Sequence, residues 1–265
     1  MTLVVHIRKT LGSFCLQADF EADDGILALL GPSGCGKSMT LKCIAGIEQP
    51  DEGFISLNGR VLFDSAKKVN LAPQKRRVGY MFQNYALFPN MTVRKNVLAG
   101  MGKKPDPALA DPYLERFQIA DYADSLPHEL SEGQKQRTAM ARIAAQAPDV
   151  ILLDEPFSAL DTVLKWQLEK EMLQVLTQEK KPTIFVSHDI DEVYRMSREV
   201  CSMKDGKTLE KIPAEVFFDR LKDGTAGLMP GWRILPPEQA DGQDLETVSG
   251  AGHQVPLATV PEGTR

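Results

Sequence analysis

Three groups of residues have the types and spacing for chemistry on a phosphorylated ligand. The first is Gly31-Pro32-Ser33-Gly34-Cys35-Gly36-Lys37-Ser38, which fits G-x-x-x-x-G-K-[ST]. Glycines in such a loop let the backbone wrap a phosphate and aim several N–H groups inward. A helix starting at its end adds the positive pole of its dipole. Lys37 has the reach for β- and γ-phosphates, and the Ser38 hydroxyl suits Mg²⁺. The second is Val150-Ile-Leu-Leu-Asp154-Glu155-Pro156. Four apolar residues place Asp154 at the C-terminal end of a buried strand, where ligands meet open α/β sheets. Asp154 is then a candidate for holding Mg²⁺ through water, and Glu155 a general base for an attacking water. The third is His188, which follows the strand-like Thr183-Ile-Phe-Val-Ser187 and can face the same ligand.

Each group has a plainer reading. A Gly-rich turn capping an ordinary helix resembles the first, a strand running into an acidic turn resembles the second, and a lone His is often structural. Their coexistence favours the chemical reading. Cys35 stands inside the loop at a helix N-terminus, a position that can lower a thiol pKa. On that ground an alkylating reagent is expected to inactivate the protein, with nucleotide protecting. The alternative is a small residue in the place of Ser or Ala.

These residues need a scaffold. Leu3, Val5 and Ile7 alternate with other residues, as do the positions from Cys15 to Glu21, so both read as strands. Ile26–Leu30 is a short apolar run typical of a buried strand. A helical pattern follows from Lys37 to about Gly46, and 53–63 reads as a hairpin turned at Asn58-Gly59. Between about 84 and 147, Pro89, Pro105, Pro107 and Pro112 punctuate helical stretches at 113–119 and 133–147. Strands at Val150–Leu153 and Thr183–Ser187 flank a helical stretch of about 160–179, a β-α-β rhythm that requires parallel pairing. The expected class is α/β: a parallel core, an N-terminal antiparallel β subdomain and a helical insertion. Residues 1–228 form the expected catalytic domain. The segment 229–265 is rich in Pro and Gly (Pro230, Pro236, Pro237, Pro256, Pro261) and is expected to be an extended tail.

Composition narrows the alternatives. The 265 residues include 31 Lys and Arg against 36 Asp and Glu, a net charge of −5. Nucleic-acid binding as the main function is therefore not expected, since it needs clustered positive charge. No apolar run approaches the ~20 residues that cross a bilayer, and Met1–Phe14 lacks a secretory apolar core. A cytoplasmic location is expected. Cys15, Cys35, Cys43 and Cys201 show no metal-binding spacing and are expected to be free thiols.

Further segments carry a resemblance. Leu130-Ser131-Glu132-Gly133-Gln134 resembles the signature motif of ATP-binding cassette (ABC) proteins. Gly79-Tyr-Met-Phe-Gln83 looks like their glutamine loop, Ser158-Ala159-Leu160-Asp161 their D-loop, and Ser187-His188-Asp189 their switch histidine. The motif order matches throughout, over residues 1 to about 225. The resemblance implies a P-loop NTPase fold that hydrolyses ATP with Mg²⁺. It assigns ATP contacts to 31–39, Mg²⁺ to Ser38, Gln83 and Asp154, and catalysis to Glu155, His188 and Gln83. It also implies a homodimer, in which Ser131, Glu132, Gly133 and Gln134 complete the partner's site and Asp161 sits at the D-loop. With no membrane span of its own, such a cassette would couple to an integral-membrane permease, and through it to a substrate-binding protein, on the inner face of the membrane. Tyr85, Leu87, Phe88 and Pro89 offer an apolar docking surface.

Some positions depart from the pattern. Glu132 replaces a usual Gly, Met39 replaces a hydroxyl residue, and Leu11 stands where an adenine-stacking aromatic is common. Phe14 could substitute for that aromatic or serve the core. The segments Lys9–Gly12, Leu57–Asp64 and Pro73–Gln83 resemble molybdate-importer ATPases, which often append an oxyanion-binding domain. The residues after the cassette are too few for one, so oxyanion sensing in cis is not expected. Sulfate, iron, polyamine and sugar importers share parts of these segments. Exporters and non-transport cassettes remain alternatives, the latter disfavoured by the absence of coiled-coil or zinc-bearing insertions.

Overall fold

The computed structural model describes residues 1–102, 105–158, 160 and 162–222, and three strands beyond them. Its centre is a twisted sheet. Leu3–Leu11 (β1) and Phe14–Ala22 (β2) form a hairpin with full antiparallel register from Leu3–Ala22 to Leu11–Phe14. Gly25–Leu30 (β3) leads into helix α1, Lys37–Ala45. Glu52–Leu57 (β4) and Arg60–Asp64 (β5) make the expected hairpin. Asn58 and Gly59 both take positive φ (+52° and +77°), the backbone that a two-residue turn between twisted strands demands. Val69–Asn70 (β6) extends that edge, and Val78–Met81 (β7) ends the opposite edge.

The insertion follows β7. Helices Val93–Gly100 (α2), Asp111–Arg116 (α3) and Glu132–Ala145 (α4) pack together, with short 3₁₀ turns between them. Val150–Asp154 (β8), Thr162–Glu179 (α5) and Pro182–Ser187 (β9) complete the anticipated β-α-β unit. Ile190–Met196 (α6), Glu199–Lys204 (β10), Lys207–Pro213 (β11) and Ala214–Lys222 (α7) follow. The sheet order is β6-β5-β4-β1-β2-β11-β10-β3-β9-β8-β7. The run β10-β3-β9-β8-β7 is parallel, and from β2 to β6 every pair is antiparallel.

Both faces of the parallel strands are covered, so those strands read as continuous apolar runs. Side chains still alternate. Ile26, Ala28, Leu30, Ile151, Leu153 and Phe185 face the layer of α2–α7. Leu27, Leu29, Val150, Leu152, Ile184 and Val186 face α1 and the antiparallel strands. This parity decides where the acidic residues at the strand ends point. In the tail, Arg233–Leu235 (β12), Glu246–Gly250 (β13) and His253–Leu257 (β14) pair as a small antiparallel sheet, which the reading of an extended tail did not foresee. The remaining tail residues lie outside the described set.

Candidate active site

The loop 31–36 leaves β3 and enters α1, with a Cβ excluded at two of its glycines. A side chain at Gly31 would come within 2.2 Å of the Met203 carbonyl oxygen. Gly36 sits at φ +109° with its would-be Cβ 2.8 Å from Leu16 and 3.2 Å from the Phe14 ring. The Phe14 ring thus packs beneath the cradle, which favours the packing role over adenine stacking. The amides at the start of α1 have no partner within the helix. Pro32, Ser33 and Gly34 are exposed and Cys35 is buried. Lys37, 4% exposed, folds across the loop, its Nζ donating to the carbonyls of Gly31 (2.6 Å) and Pro32 (2.9 Å). That ammonium is therefore held inside the loop by backbone carbonyls. Met39 packs its side chain against the core, leaving only its backbone to the cradle.

The structure speaks against the expected reactive thiol. Burial pushes the Cys35 pKa up, and the nearby Lys37 charge and its amide only partly oppose this. Desolvation of a thiolate outweighs the helix-end field here, which favours the reading of Cys35 as a small packed residue. None of the four cysteines is in a disulfide.

At the end of β8 the chain parts two carboxylates. Parity sends Asp154 to the α1 face with Leu152, where its Oδ1 accepts from the Ser38 hydroxyl at 2.7 Å. Its Oδ2 accepts from the Tyr80 hydroxyl at 2.9 Å. Burial first, then the Asp154 charge, raises the Tyr80 pKa, so the phenol remains a donor. Tyr80 was given no role from sequence. The signal was present, because Val78 and Tyr80 share a face with Leu152 and Asp154 on the neighbouring strand. The next residue, Glu155, turns out of the sheet. Its φ is +47°, left-handed backbone that costs a non-Gly residue roughly 1–2 kcal/mol. Its N–H bonds the Val186 carbonyl at 3.0 Å, tying the turn to β9. This conformation points Glu155 away from Asp154 and toward Gln83 and His188. Gln83 Nε2 lies 3.5 Å from Glu155 Oε2 and donates to Ser158 Oγ at 3.2 Å. His188 Nδ1 lies 3.3 Å from Glu155 Oε1.

His188 is set by a buried charged layer between α5 and α6. Asp189 caps α6 through the amides of Asp191 and Glu192. Lys165 bridges Asp189 and Glu192, and Ser187 Oγ donates to Glu192 at 2.6 Å. Burial tends to raise the Asp189 pKa, but Lys165 and the two amides outweigh it and hold Asp189 below its ordinary value. Asp191 differs: its Oδ1 is buried without a partner, and burial followed by the Asp189 charge pushes its pKa up to about 6.

The signature residues cap α4. Ser131 Oγ accepts from the Gln134 amide, and Gln134 Oε1 accepts from the Ser131 amide at 2.8 Å. Glu132 turns along the helix to Lys135 Nζ at 2.6 Å, so its charge is met by a cation on its own helix. Gly133 packs on α5, where a Cβ would meet Leu168 at 3.3 Å. Of the expected apolar docking residues, Tyr85 is only 2% exposed and belongs to the core, while Phe88 is 46% exposed. Asp161 of the D-loop lies outside the described residues.

A Gly-rich loop feeding a helix, a split Asp-Glu pair at the end of the adjacent parallel strand and a capped signature helix on a helical insertion together define an ATP-binding cassette. The sequence pattern of the ABC transporter family matches residues 17–158, and the chain belongs to that family. It is 37% identical over 231 residues to the molybdenum import ATP-binding protein ModC of Paramagnetospirillum magneticum, covering 86% of this chain and 62% of that one. It is 40% identical over 222 residues to the Fe(3+) ions import ATP-binding protein FbpC 2 of Haemophilus influenzae, covering 82% and 62%. A probable sulfate/thiosulfate import ATP-binding protein CysA of Chlorella vulgaris is 39% identical, covering 82% of this chain and 93% of that one. The chain therefore spans about three fifths of the length of the molybdenum and iron relatives. A bacterial ABC transporter cassette solved as a dimer superposes with a TM-score of 0.67 at 25% identity, over 81% of this chain and 99% of that one.

Proposed function

We propose that this chain is the ATP-hydrolysing subunit of an importer, working as a homodimer that drives a separate integral-membrane permease. The observation that carries this reading is the separation of the two carboxylates. Asp154 is engaged by Ser38, whereas Glu155 faces Gln83 and His188. That separation supports a cation role for one acid and a proton role for the other.

The residues fit Mg²⁺. Ser38 Oγ and Asp154 Oδ1 converge at 2.7 Å as two hard oxygen donors, and no group of three or more His, Cys, Asp or Glu among the described residues forms a metal cage. That suits an ion held by one or two protein oxygens and the substrate's phosphates. When bound, it neutralises developing phosphate charge. Gln83 would supply a further oxygen to that ion. Lys37 gives up its two carbonyl partners and pairs with the β- and γ-phosphates. Glu155 accepts the proton of the water attacking the γ-phosphorus, and the ADP oxygen departs. His188 holds Glu155 and the γ-phosphate in register. A second copy supplies Ser131, Glu132, Gly133 and Gln134 to the open side of the cradle, through one self-complementary interface.

Among the described residues no helix is long and apolar enough to cross a membrane. Transport by this reading belongs to a permease seated at the exposed Phe88 side, fed by a substrate-binding protein. The cargo favoured here is molybdate, tungstate or a related oxyanion. The support is the likeness of 9–12, 57–64 and 73–83 to molybdate importers and the molybdenum relative. Iron and sulfate relatives at comparable identity support the second reading, another importer cargo. The test is Glu155→Gln, expected to retain ATP and accumulate as a closed dimer while losing turnover. Hydrolysis at the parental rate refutes the assignment. Vesicles carrying the permease and binding protein, offered molybdate, tungstate, sulfate and ferric iron in turn, identify the cargo by which one stimulates hydrolysis.

A further inference from the structure

The segment that follows Gln83 is held by side chains of the insertion rather than by regular backbone pairing. Tyr85 and Ala86 are consecutive non-Gly residues with positive φ, +60° and +43°. Such a pair persists only where its surroundings over-determine it. One guanidinium supplies that constraint. Arg142, on α4, donates from Nη2 to the Tyr85 carbonyl at 2.8 Å and from Nη1 to the Ala86 carbonyl at 2.7 Å. Its guanidinium also lies over the Phe88 ring, 5.5 Å from the centroid. No carboxylate among the described residues pairs with it, so these contacts account for its charge.

The far side of the segment is fastened to α2. Asn96, fully buried, accepts from the Phe88 amide at 2.8 Å and donates to the carbonyls of Phe88 and Met91. Helix α2 in turn lies close on α4, since a Cβ at Gly100 would come within 2.3 Å of the Arg142 carbonyl. At the other end of α4, the buried Tyr85 hydroxyl has no hydrogen-bond partner and lies in the field of the Glu132 carboxylate. Residues 85–91 therefore travel with α2 and α4. The exposed Gln83 and Asn84 are the short link left between this body and the end of β7.

Resting on the proposed function above, we propose that Arg142 is a positioning residue. It locks residues 85–88 to α4, so that a load on exposed Phe88 moves Gln83 and the signature residues 131–134 together. The coupling is a contiguous physical chain: ring, guanidinium, helix, N-terminal cap. A rigid clamp aligns Gln83 with Glu155 without touching the cradle, so its loss acts on turnover and not on nucleotide binding.

The test uses the full chain without permease. Arg142→Met, Arg142→Lys and Phe88→Ala are compared by hydrogen exchange on peptides spanning 82–90, by exchange elsewhere, and by kcat and KM for MgATP. In Arg142→Met, exchange in 82–90 is expected to accelerate about tenfold or more, the loss of two charge-assisted hydrogen bonds. Protection in β8 and β9 should be kept. The kcat should fall about tenfold with KM within about twofold. Arg142→Lys restores part of both effects, because it keeps the charge and one donor. Phe88→Ala, at an exposed position and safe for folding, should raise local exchange about two- to fivefold. Unchanged exchange in 82–90, or protection lost evenly across the chain, overturns the proposal. So does a KM effect without a kcat effect. If Arg142→Met shows the local exchange but the parent protein hydrolyses no ATP, the clamp stands and the functional reading fails.

Discussion

Asp191→Asn should make this protein more stable, and increasingly so as pH rises. Asp191 is 3% exposed, its Oδ1 has no partner, and its pKa is pushed from 3.8 to about 6. Burial is the leading cause, followed by the Asp189 charge. Arg195 and Lys165 pull the other way, and Glu169 adds to the repulsion. Well below pH 4 the carboxyl is protonated in both folded and unfolded chains and contributes nothing. As pH rises past the unfolded value, the unfolded chain releases its proton first while the folded chain retains its own. Stability then falls with pH until the folded group ionises near 6. The two pH units between these values correspond to about 3 kcal/mol at pH 8 and roughly half that at pH 5. Asn is the uncharged isostere and removes this cost. Urea unfolding followed by circular dichroism at pH 5 and pH 8 measures it. The variant should gain up to about 3 kcal/mol at pH 8, with a gain smaller by roughly 1.4 kcal/mol at pH 5. A variant no more stable than its parent at pH 8, or a gap that does not widen with pH, refutes the reasoning. Because Asp189, the N-cap of α6, directly follows His188, the same variant also shows whether this charged layer tunes turnover.

Other substitutions probe the site directly. Lys37→Ala removes the ammonium held at the loop carbonyls, and nucleotide binding measured by calorimetry should be lost. Tyr80→Phe leaves Asp154 Oδ2 without its donor; a weakening of about 1–3 kcal/mol in thermal stability is expected, and a changed Mg²⁺ requirement in the ATPase assay. Thiol labelling of the native protein should modify half-buried Cys15 first and spare Cys35, whose burial raises its pKa. Rapid labelling of Cys35 contradicts that. His188→Ala should bind ATP normally in a filter assay yet hydrolyse it slowly, since it removes a neighbour of Glu155 and no cradle contact.

Much of the scaffold was legible because its local signals agree with the final packing. The Asn58-Gly59 turn, the apolar runs of β3, β8 and β9, and the helices at 37–45 and 132–145 follow from turn chemistry and from strands buried on both faces. Other features were hidden because their partners are remote in sequence. Arg142 on α4 reaches Tyr85 and Ala86, 56 or 57 residues away, and Asp191 on α6 is buried with an unpartnered Oδ1, in the field of Lys165 and Glu169 from α5. Cys35 misled for a related reason: its position at a helix end is local, but the desolvation that sets its pKa comes from the surrounding core.

The sequence by itself determined the chemistry available: a loop that can wrap phosphates, two adjacent carboxylates, a histidine after a core strand, and the order that marks an ABC cassette. It also suggested a role for each of the two adjacent carboxylates, Asp154 for the cation and Glu155 for the proton, but not the geometry that separates them. The tertiary structure set that separation through strand parity and one left-handed residue. Parity commits Asp154 to Ser38 and Tyr80 on the α1 face. The positive φ at Glu155, fastened by Val186, turns the second acid toward Gln83 and His188. Side-chain alternation is written locally, but which face carries α1 is known only once the sheet is built.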